Sequence, residues 1–536
     1  MVILFLLFFI PLTRGEVFTA LVDLTQSFNS KLQLGNNLLE FANEAKAHIQ
    51  SLKAFTKSIH VTPENQNPET YINNPLKAYL LIQRLIRYWK EEFPILISTD
   101  ENFDSIANRI QQLLNYLPNK DDLKGSIDAL VRLQDTYKIK THKIANGIIT
   151  RNEKSNSLTS QQCFEIGLRS FEKDYFYFVE WASEAYYRIN ENVKSEKIKL
   201  LDYLSFGFFK QNNLRQALAL TKEWRKIDPL NVRASENEIY FTQEQQNIRN
   251  SNSFFKGDIG DLFTDLAAIN VRPSTHDRGN EFRTYEALCR GESTIKNPNL
   301  HSLKCRYYVP HYYFLLGPIK EETLFHKPRI VIYHDLINDN EIEGIKRLSI
   351  NKLRRATVQN SITGKLEFAN YRISKSAWLR TDVNELTERI NLRIQLVTGI
   401  NLETAEELQV VNYGIGGHYE PHFDFARKSE INSFESEIGN RLATLLFYMS
   451  DVEAGGATVF TKIGAKIWPK KGAAAFWWNL LPSGEGDLST RHAACPVLLG
   501  SKWVMNKWFH ERGQEFTRPC ALNRNATKST LNRFVN

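Results

Sequence analysis

Residues 410–425, VVNYGIGGHYEPHFDF, set His422 and Asp424 two positions apart. Three glycines and Pro421 precede them, so the stretch reads as a strand, a turn and a second short strand. Alternate residues of an extended chain point to one side, and this spacing aims an imidazole and a carboxylate at one point. His492, in residues 489–497 (STRHAACPV), is the candidate third ligand. Such a set holds a six-coordinate ion by one face and leaves the other face open, the arrangement of non-haem Fe(II) oxygenases. A 2-oxo acid can fill two of the open positions and dioxygen the third. The far carboxylate of that cosubstrate needs a fixed cation, which Lys502 would supply as a point charge. Tyr413 would add a hydroxyl donor. Taken singly, Lys502 reads as a solvated strand lysine and Tyr413 as barrel packing; their place beside the ligand set is what gives them chemistry.

Two zinc readings compete. His418 and His422 are four apart, the spacing of a helical zinc pair, but Gly414, Gly416, Gly417 and Pro421 argue against a helix and no HExxH is present. His492 and Cys495 lack a second CxxC or HxxxH pair.

The elements that must position these groups lie in the last part of the chain. Short β-rich runs at 329–333, 408–413, 442–448, 457–460, 473–478 and 502–506, with helices near 340–348 and 384–397, predict a double-stranded β-helix, or jelly roll, over residues 327–524. Gly455-Gly456 reads as a hairpin turn. Residues 251–326 are loop-rich and read as a linker. Upstream the periodicity is helical: residues 16–150 carry apolar stripes, including runs at 76–89 and 123–139, with no clustered Cys, His or paired carboxylates, and read as a dimerisation module. Residues 158–250 form a second helical unit in which 201–229 resembles one tetratricopeptide repeat. Its aromatics Tyr175, Tyr177, Tyr203, Phe206, Phe209 and Tyr240 read either as core or as a groove for a stiff, proline-rich peptide.

With 536 residues the chain has room for roughly three domains, and 42% hydrophobic residues suffice for real cores. The net charge of +8 comes from 68 basic and 60 acidic residues without a basic block, which argues against a nucleic-acid arm. Residues 1–10 are an apolar run too short to span a bilayer, and residues 1–15 fit a signal peptide, which predicts a lumenal or secreted protein. Five cysteines stand at 163, 289, 305, 495 and 520. In an oxidising compartment short spans favour Cys289–Cys305 and Cys495–Cys520, leaving Cys163 free. Asn525 opens a glycosylation sequon in a polar tail.

Residues 414–425, 446–452, 455–460, 468–472, 484–487, 491–497 and 507–516 closely resemble the α-subunit family of collagen prolyl 4-hydroxylases. The resemblance extends to 16–24 and to the region from Cys163 to Pro229. It implies an endoplasmic-reticulum dioxygenase that uses Fe(2+), 2-oxoglutarate, O2 and L-ascorbate to hydroxylate proline at C4 in X-Pro-Gly sequences. By position it implies His422, Asp424 and His492 as iron ligands and Lys502 as the partner of the distal 2-oxoglutarate carboxylate. The two cysteine pairs match the family's disulfides. It implies an α–α dimer within an α2β2 tetramer with protein disulfide isomerase. Residues 533–536 hold no retention tetrapeptide, which fits retention through that partner. Two departures stand out: Phe206 and Phe209 replace tyrosines of the family's peptide groove, and His418 replaces glutamine. Alternatives are the same chemistry on a non-collagen proline-rich secreted protein, or a non-catalytic peptide-binding subunit, against which the intact ligand set speaks.

Overall fold

The computed structural model describes residues 72–87, 118–150, 154–171, 173–190, 193–250, 279–293, 302–359, 366–427 and 437–521, with Gln50, Lys53, Asn270 and Glu430. The predicted signal peptide, most of the predicted dimerisation region and Asn525 lie outside them. Residues 1–67 and 84–117 form one unit, and residues 68–83 and 118–536 a second. The architecture described is that of the second unit, with the last two residues of its first helix, 84–85, assigned to the first. Among the described residues no helix is long and apolar enough to cross a membrane.

Its helical part comprises α1 (Pro75–Leu85), α2 (Lys120–Tyr137), α3 (Thr141–Ala145), α4 (Ser160–Ser170), α5 (Tyr175–Arg188), α6 (Lys194–Lys210), α7 (Leu214–Ile227) and α8 (Val232–Asn250). Local chemistry sets several starts. Asn119 and Asp122 form a capping box on α2, Thr159 and Gln162 another on α4, and Asp174 caps α5. Each satisfies backbone N–H groups that a helix start leaves orphaned. Lys138, in the left-handed conformation, ends α2. Leu76 and Tyr79 of α1, Leu130 and Leu133 of α2, and Phe164, Phe178, Trp181, Leu204, Phe208 and Leu220 share one apolar core. Helix α2 falls within the predicted dimerisation region, yet it packs with the predicted peptide-binding helices. A buried polar chain fixes it there: Trp181 Nε1 donates to Gln134 (2.9 Å), Gln134 to Thr141 (2.7 Å) and Thr141 to Glu180 (2.6 Å).

Helix α9 (Asn280–Cys289) leads into the β-rich part, which also holds α10 (Asp339–Ile350) and α11 (Glu385–Thr398). The strands that matter are β1 (Cys305–Tyr308), β2 (Ile319–Phe325), β3 (Ile330–His334), β4 (Arg354–Arg355), β5 (Lys375–Leu379), β6 (Leu408–Tyr413), β7 (Tyr419–His422), β8 (Arg441–Tyr448), β9 (Thr458–Phe460), β10 (Ala465–Ile467), β11 (Ala474–Trp478), β12 (His492–Ala494) and β13 (Lys502–His510). A nine-stranded antiparallel sheet runs β1-β2-β3-β11-β8-β13-β6-β5-β4, and a four-stranded sheet runs β10-β9-β12-β7. This is the predicted jelly roll. Helices α10 and α11 share a core with the large sheet through Ile342, Ile345, Ile390, Ile394, Val410, Leu445 and Phe476.

Two expectations are corrected. The stretch read as a linker contributes α9 and the first two strands of the large sheet, so the β-rich part starts at Cys305 rather than at residue 327. β1 is short and mostly exposed, and β2 (IKEETLF) is mostly half-buried with charged residues in its middle, so neither shows the apolar run that marks a core strand. Gly455-Gly456 does not join a hairpin: β8 pairs with β11 and β13, whereas β9 pairs with β10 and β12. The two glycines, with φ of 78° and 69°, carry the chain from the large sheet to the small one. A Cβ on Gly455 would lie 2.6 Å from the Pro496 carbonyl oxygen, so a close backbone crossing demands glycine there.

Gly207 sets how closely α6 approaches α5, because a Cβ there would come within 2.7 Å of the Phe178 ring and 2.9 Å of Val179. Both neighbours are fully buried. Gly207→Val is expected to destabilise the helical part by ~1–3 kcal/mol through overpacking, read by denaturant unfolding of the full chain; an unchanged midpoint would contradict this packing.

Candidate active site

Strands β7 and β12 are antiparallel neighbours, and His422 sits directly opposite His492. Asp424 follows two residues after His422, on the same side. His422 Nε2 lies 3.7 Å from one Asp424 oxygen and His492 Nε2 lies 3.6 Å from the other. The three side chains offer ligand atoms all within 4.8 Å of one another, and atoms 3.6–3.7 Å apart can share an ion held by bonds of about 2.1 Å.

The backbone sets which ring nitrogens face this point. His422 Nδ1 is 2.8 Å from the Glu420 carbonyl and His492 Nδ1 is 3.0 Å from the Thr490 carbonyl. A carbonyl only accepts, so each Nδ1 carries the proton and each Nε2 presents its lone pair. Burial, and then the neighbouring His492, push the His422 pKa down and keep that ring neutral. For Asp424, burial works to raise the pKa; His492, His422, Arg441 and the Thr444 hydroxyl outweigh it and hold the carboxylate below its usual range. Two imidazole nitrogens and one carboxylate are the donor set that suits Fe(II).

Sequence reasoning missed the groups that orient Asp424. Thr444 donates to its Oδ2 at 2.7 Å, and Asn479 Nδ2 donates to Thr444 at 2.9 Å. Arg441 lies over the Trp508 ring at 4.1 Å and grips the half-buried Glu406 with two nitrogens, while His510 reaches Glu406 at 3.0 Å. The signal for Thr444 was a hydroxyl in the otherwise apolar run LATLLFY; a buried polar residue in a core strand needs a partner.

Lys502 opens β13 opposite Tyr413, the last residue of β6. Its Nζ donates to the Gly456 carbonyl at 2.6 Å and stands 5.1 Å from the centre of the Tyr413 ring. Lys502 is 1% exposed, not a solvated strand lysine. Burial lowers its pKa to about 7 and raises that of Tyr413 to about 12, so the phenol keeps its proton. His418 is buried and, with Glu420 and Tyr371, lines a cleft of about 1180 Å³ that Asp128, Arg132 and Asp135 of α2 also line.

Of the groove candidates, Tyr175, Phe206, Phe209 and Tyr240 form one row, with ring centres 6.3, 6.3 and 5.7 Å apart in sequence. Tyr203 sits behind the row, against Phe164 and Phe171 at 5.3 and 5.4 Å. Tyr177 is buried and donates to Asp135 at 2.6 Å, so it is a packing residue.

The expected cysteine pairing is corrected. The disulfide joins Cys289 to Cys495, 206 positions apart, while Cys305 and Cys520 are exposed and unbridged and Cys163 is buried and free. Short spans favoured neighbours in sequence. The fold instead lays α9 against β9 and β12, with Tyr285, Leu288, Ala457, Val459 and Ala493 sharing a core around the bridge.

A model described as the 2OG-Fe(II) oxygenase superfamily matches residues 408–510, so the C-terminal part is an oxygenase domain of that class. Residues 20–151 match the N-terminal region of the prolyl 4-hydroxylase alpha subunit, and residues 160–246 the prolyl 4-hydroxylase peptide-substrate-binding domain. Prolyl 4-hydroxylase subunit alpha-1 of Mus musculus is 43% identical over 521 residues, covering 96% of this chain and 97% of its own. Subunit alpha-2 of Caenorhabditis elegans is 42% identical over 522 residues, covering 95% and 94%. The chain belongs to the prolyl 4-hydroxylase α-subunit family.

Removing the Thr444 hydroxyl leaves Asp424 one orienting bond short. Thr444→Val is expected to weaken divalent-metal binding ~10–100-fold, read by Co(II) titration of the full chain; wild-type affinity would show that the hydroxyl does not orient the ligand.

Proposed function

We propose that this chain is a catalytic subunit that hydroxylates proline at C4 in X-Pro-Gly sequences of procollagen-like peptides. The observation that carries the reading is the convergence of His422, Asp424 and His492 beside a buried Lys502, in a chain that also carries a peptide-substrate-binding region. In this reading the three residues hold Fe(2+). When bound, the iron supplies the oxidising chemistry: one oxygen atom of O2 enters the C4–H bond, the other enters 2-oxoglutarate, and succinate and CO2 leave. L-ascorbate keeps the iron reduced.

The chain's own residues then have distinct tasks. The carbonyls of Glu420 and Thr490 hold both imidazoles in one tautomer. Lys502 pairs with the distal carboxylate of 2-oxoglutarate, and Tyr413 donates its phenolic hydrogen to the same group. The row Tyr175–Phe206–Phe209–Tyr240 stacks on proline rings of a long peptide. Residues 16–150 serve α–α association, 158–250 peptide binding, and 327–524, joined by the strands from Cys305, catalysis. Residues 1–15 direct the chain to the endoplasmic-reticulum lumen, Asn525 carries a glycan, and protein disulfide isomerase completes an α2β2 tetramer.

A panel of (Pro-Pro-Gly) repeats and other proline motifs tests the reading. Hydroxyproline should form in step with succinate on the repeats, and His422→Ala should abolish both. A protein that binds iron and 2-oxoglutarate yet hydroxylates no proline peptide would end it. Phe206 and Phe209 favour a second reading, the same chemistry on a non-collagen proline-rich protein: stacking survives without the hydroxyls, but two hydrogen bonds to peptide do not. Preference in the panel for such motifs would select it.

The pH dependence has a definite sign. Lys502 is charged below about 7 and neutral above it in the ligand-free site. A dicarboxylate needs the charged form, so 2-oxoglutarate affinity should fall as pH rises above about 7, by up to ~tenfold per pH unit until the pKa in the complex is reached. Binding of 2-oxobutyrate, which lacks the distal carboxylate, should not follow that slope. Isothermal titration of both ligands across pH would reveal the difference, and parallel slopes would remove Lys502 from the role.

A further inference from the structure

We propose that Glu281 of α9 is a positioning residue for the metal centre, acting through Arg491. The inference rests on the reading of His422, Asp424 and His492 as the iron ligands. Glu281, Tyr285 and Cys289 are spaced by four, so they lie along one face of the helix. Each reaches the ligand-bearing strand or the residue next to it. Glu281 accepts from Arg491 Nε at 2.6 Å, Tyr285 donates to the Ala494 carbonyl at 3.3 Å, and Cys289 is bonded to Cys495. These contacts bracket His492 from both sides in the sequence.

Strand alternation explains how a helix on the back of the sheet bears on a ligand at the front. His492 points to the metal point, and Ala493 points the other way, into the core shared with Tyr285, Leu288 and Cys289. Movement of the helix face therefore moves the strand that carries the imidazole.

Arg491 adds a second link. Its guanidinium stands 5.0 Å from the ring centre of Phe423, the residue between His422 and Asp424. Its carbonyl accepts from Thr461 N at 3.1 Å, and the Thr461 hydroxyl donates to Glu281 at 3.2 Å. Arg491 is thus bonded in the chain to the third ligand and stacked on the spacer of the first two. Glu281 fixes that guanidinium at its inner nitrogen, Nε. A carboxylate is the right group, because a planar guanidinium held at Nε keeps its flat face for the aromatic ring. Lys462 Nζ, 3.6 Å from Glu281, adds a second cation that keeps the carboxylate ionised.

The test compares full-length wild type with Glu281→Ala, Glu281→Gln and Arg491→Lys. Co(II) serves as the probe because it does not oxidise under the assay. Glu281→Ala should lower Co(II) affinity by ~tenfold or more. Glu281→Gln, which keeps an acceptor, should lose less, and Arg491→Lys should lose affinity because it forfeits the stacking plane. Turnover lost by Glu281→Ala should be recovered by raised Fe(II), with the peptide KM unchanged. A partly exposed ion pair contributes little to stability, so melting temperatures should stay within about 2 °C of wild type. Unaltered Co(II) affinity in Glu281→Ala overturns the proposal, as does a loss seen only together with a large fall in melting temperature in both Glu281 variants. Failure of the wild type to bind Co(II) would instead overturn the assignment of the iron ligands.

Discussion

The register that sets His422 opposite His492 is the constraint the rest of the oxygenase domain serves. Slipping one strand by a single residue would turn every side chain to the other face. His492 would then enter the core around Tyr285 and Cys495, and Ala493 would face Asp424. Several contacts oppose that slip at once. Strand β9 pairs with β12 on its free side, setting Phe460 against His492, and Ala493 is locked into the core beneath α9. Both imidazoles are then turned the same way by a carbonyl two residues upstream. The placing of the two imidazoles is thus a property of the backbone, while the Asp424 carboxylate is turned by the Thr444 side chain.

Within that frame the two kinds of buried charge are treated differently. Asp424 lies among groups that favour its ionised form: two imidazoles, the Thr444 hydroxyl and Arg441. Glu406 has the same support from Arg441 and His510, which overcome burial and hold it down at about 2. Lys502 has a carbonyl, a dipole rather than a charge, and burial prevails. A carboxylate brought to that ammonium would reverse the balance, since an opposite charge in a dry site acts more strongly than in water. The site therefore contains a built carboxylate for a cation and a lysine whose charge is favoured only with an anion beside it. That pairing suits a metal and a dicarboxylate together better than either alone.

How much of this could be read from the chain follows the range of the interactions. His422 and Asp424 were legible because a spacing of two in an extended run is a local statement, and the glycines and Pro421 excluded a helix. The strands at 408–413, 442–448, 458–460, 474–478 and 502–510 were legible because buried strands announce themselves by apolar runs, whereas the three-residue β10, with a lysine at its centre, did not. The helix 120–137 was found by its stripe, but its partners were not, because a stripe says that a face is buried without saying against what. Gly455-Gly456 looked like a hairpin since left-handed glycines serve both tight turns and sheet-to-sheet crossings; only the pairing of β8 and β9 with other strands distinguishes them. The Cys289–Cys495 bridge and the α9 contacts were out of reach, because loop length ranks cysteine pairs by entropy and cannot see that a ten-residue helix from the supposed linker lies behind β12. Glu406 and Arg441 were invisible for a related reason: each is an ordinary residue until a fold brings it to Asp424 or to its neighbours, whereas Thr444 left the trace of a hydroxyl in an apolar run.

The aromatic row poses a separate physical question, which local patterning had left even between core and groove. Phe206 and Phe209 are half-buried and Tyr240 is exposed, so the row is neither core nor a scatter of surface rings. Lys210 stands over Phe206 and Phe209 at 5.2 and 5.9 Å, a cation on the faces a proline would use. Exposed cation–π contacts are weak, about 0.5–1 kcal/mol, and a long lysine stem can swing aside at little cost. A stiff peptide that already holds its extended form loses little entropy on docking, so ring-on-ring burial can displace the ammonium. Hydroxyl-free rings make that exchange depend on shape and apolar area alone. Such a surface would select for proline spacing along the peptide more than for the polar groups between prolines.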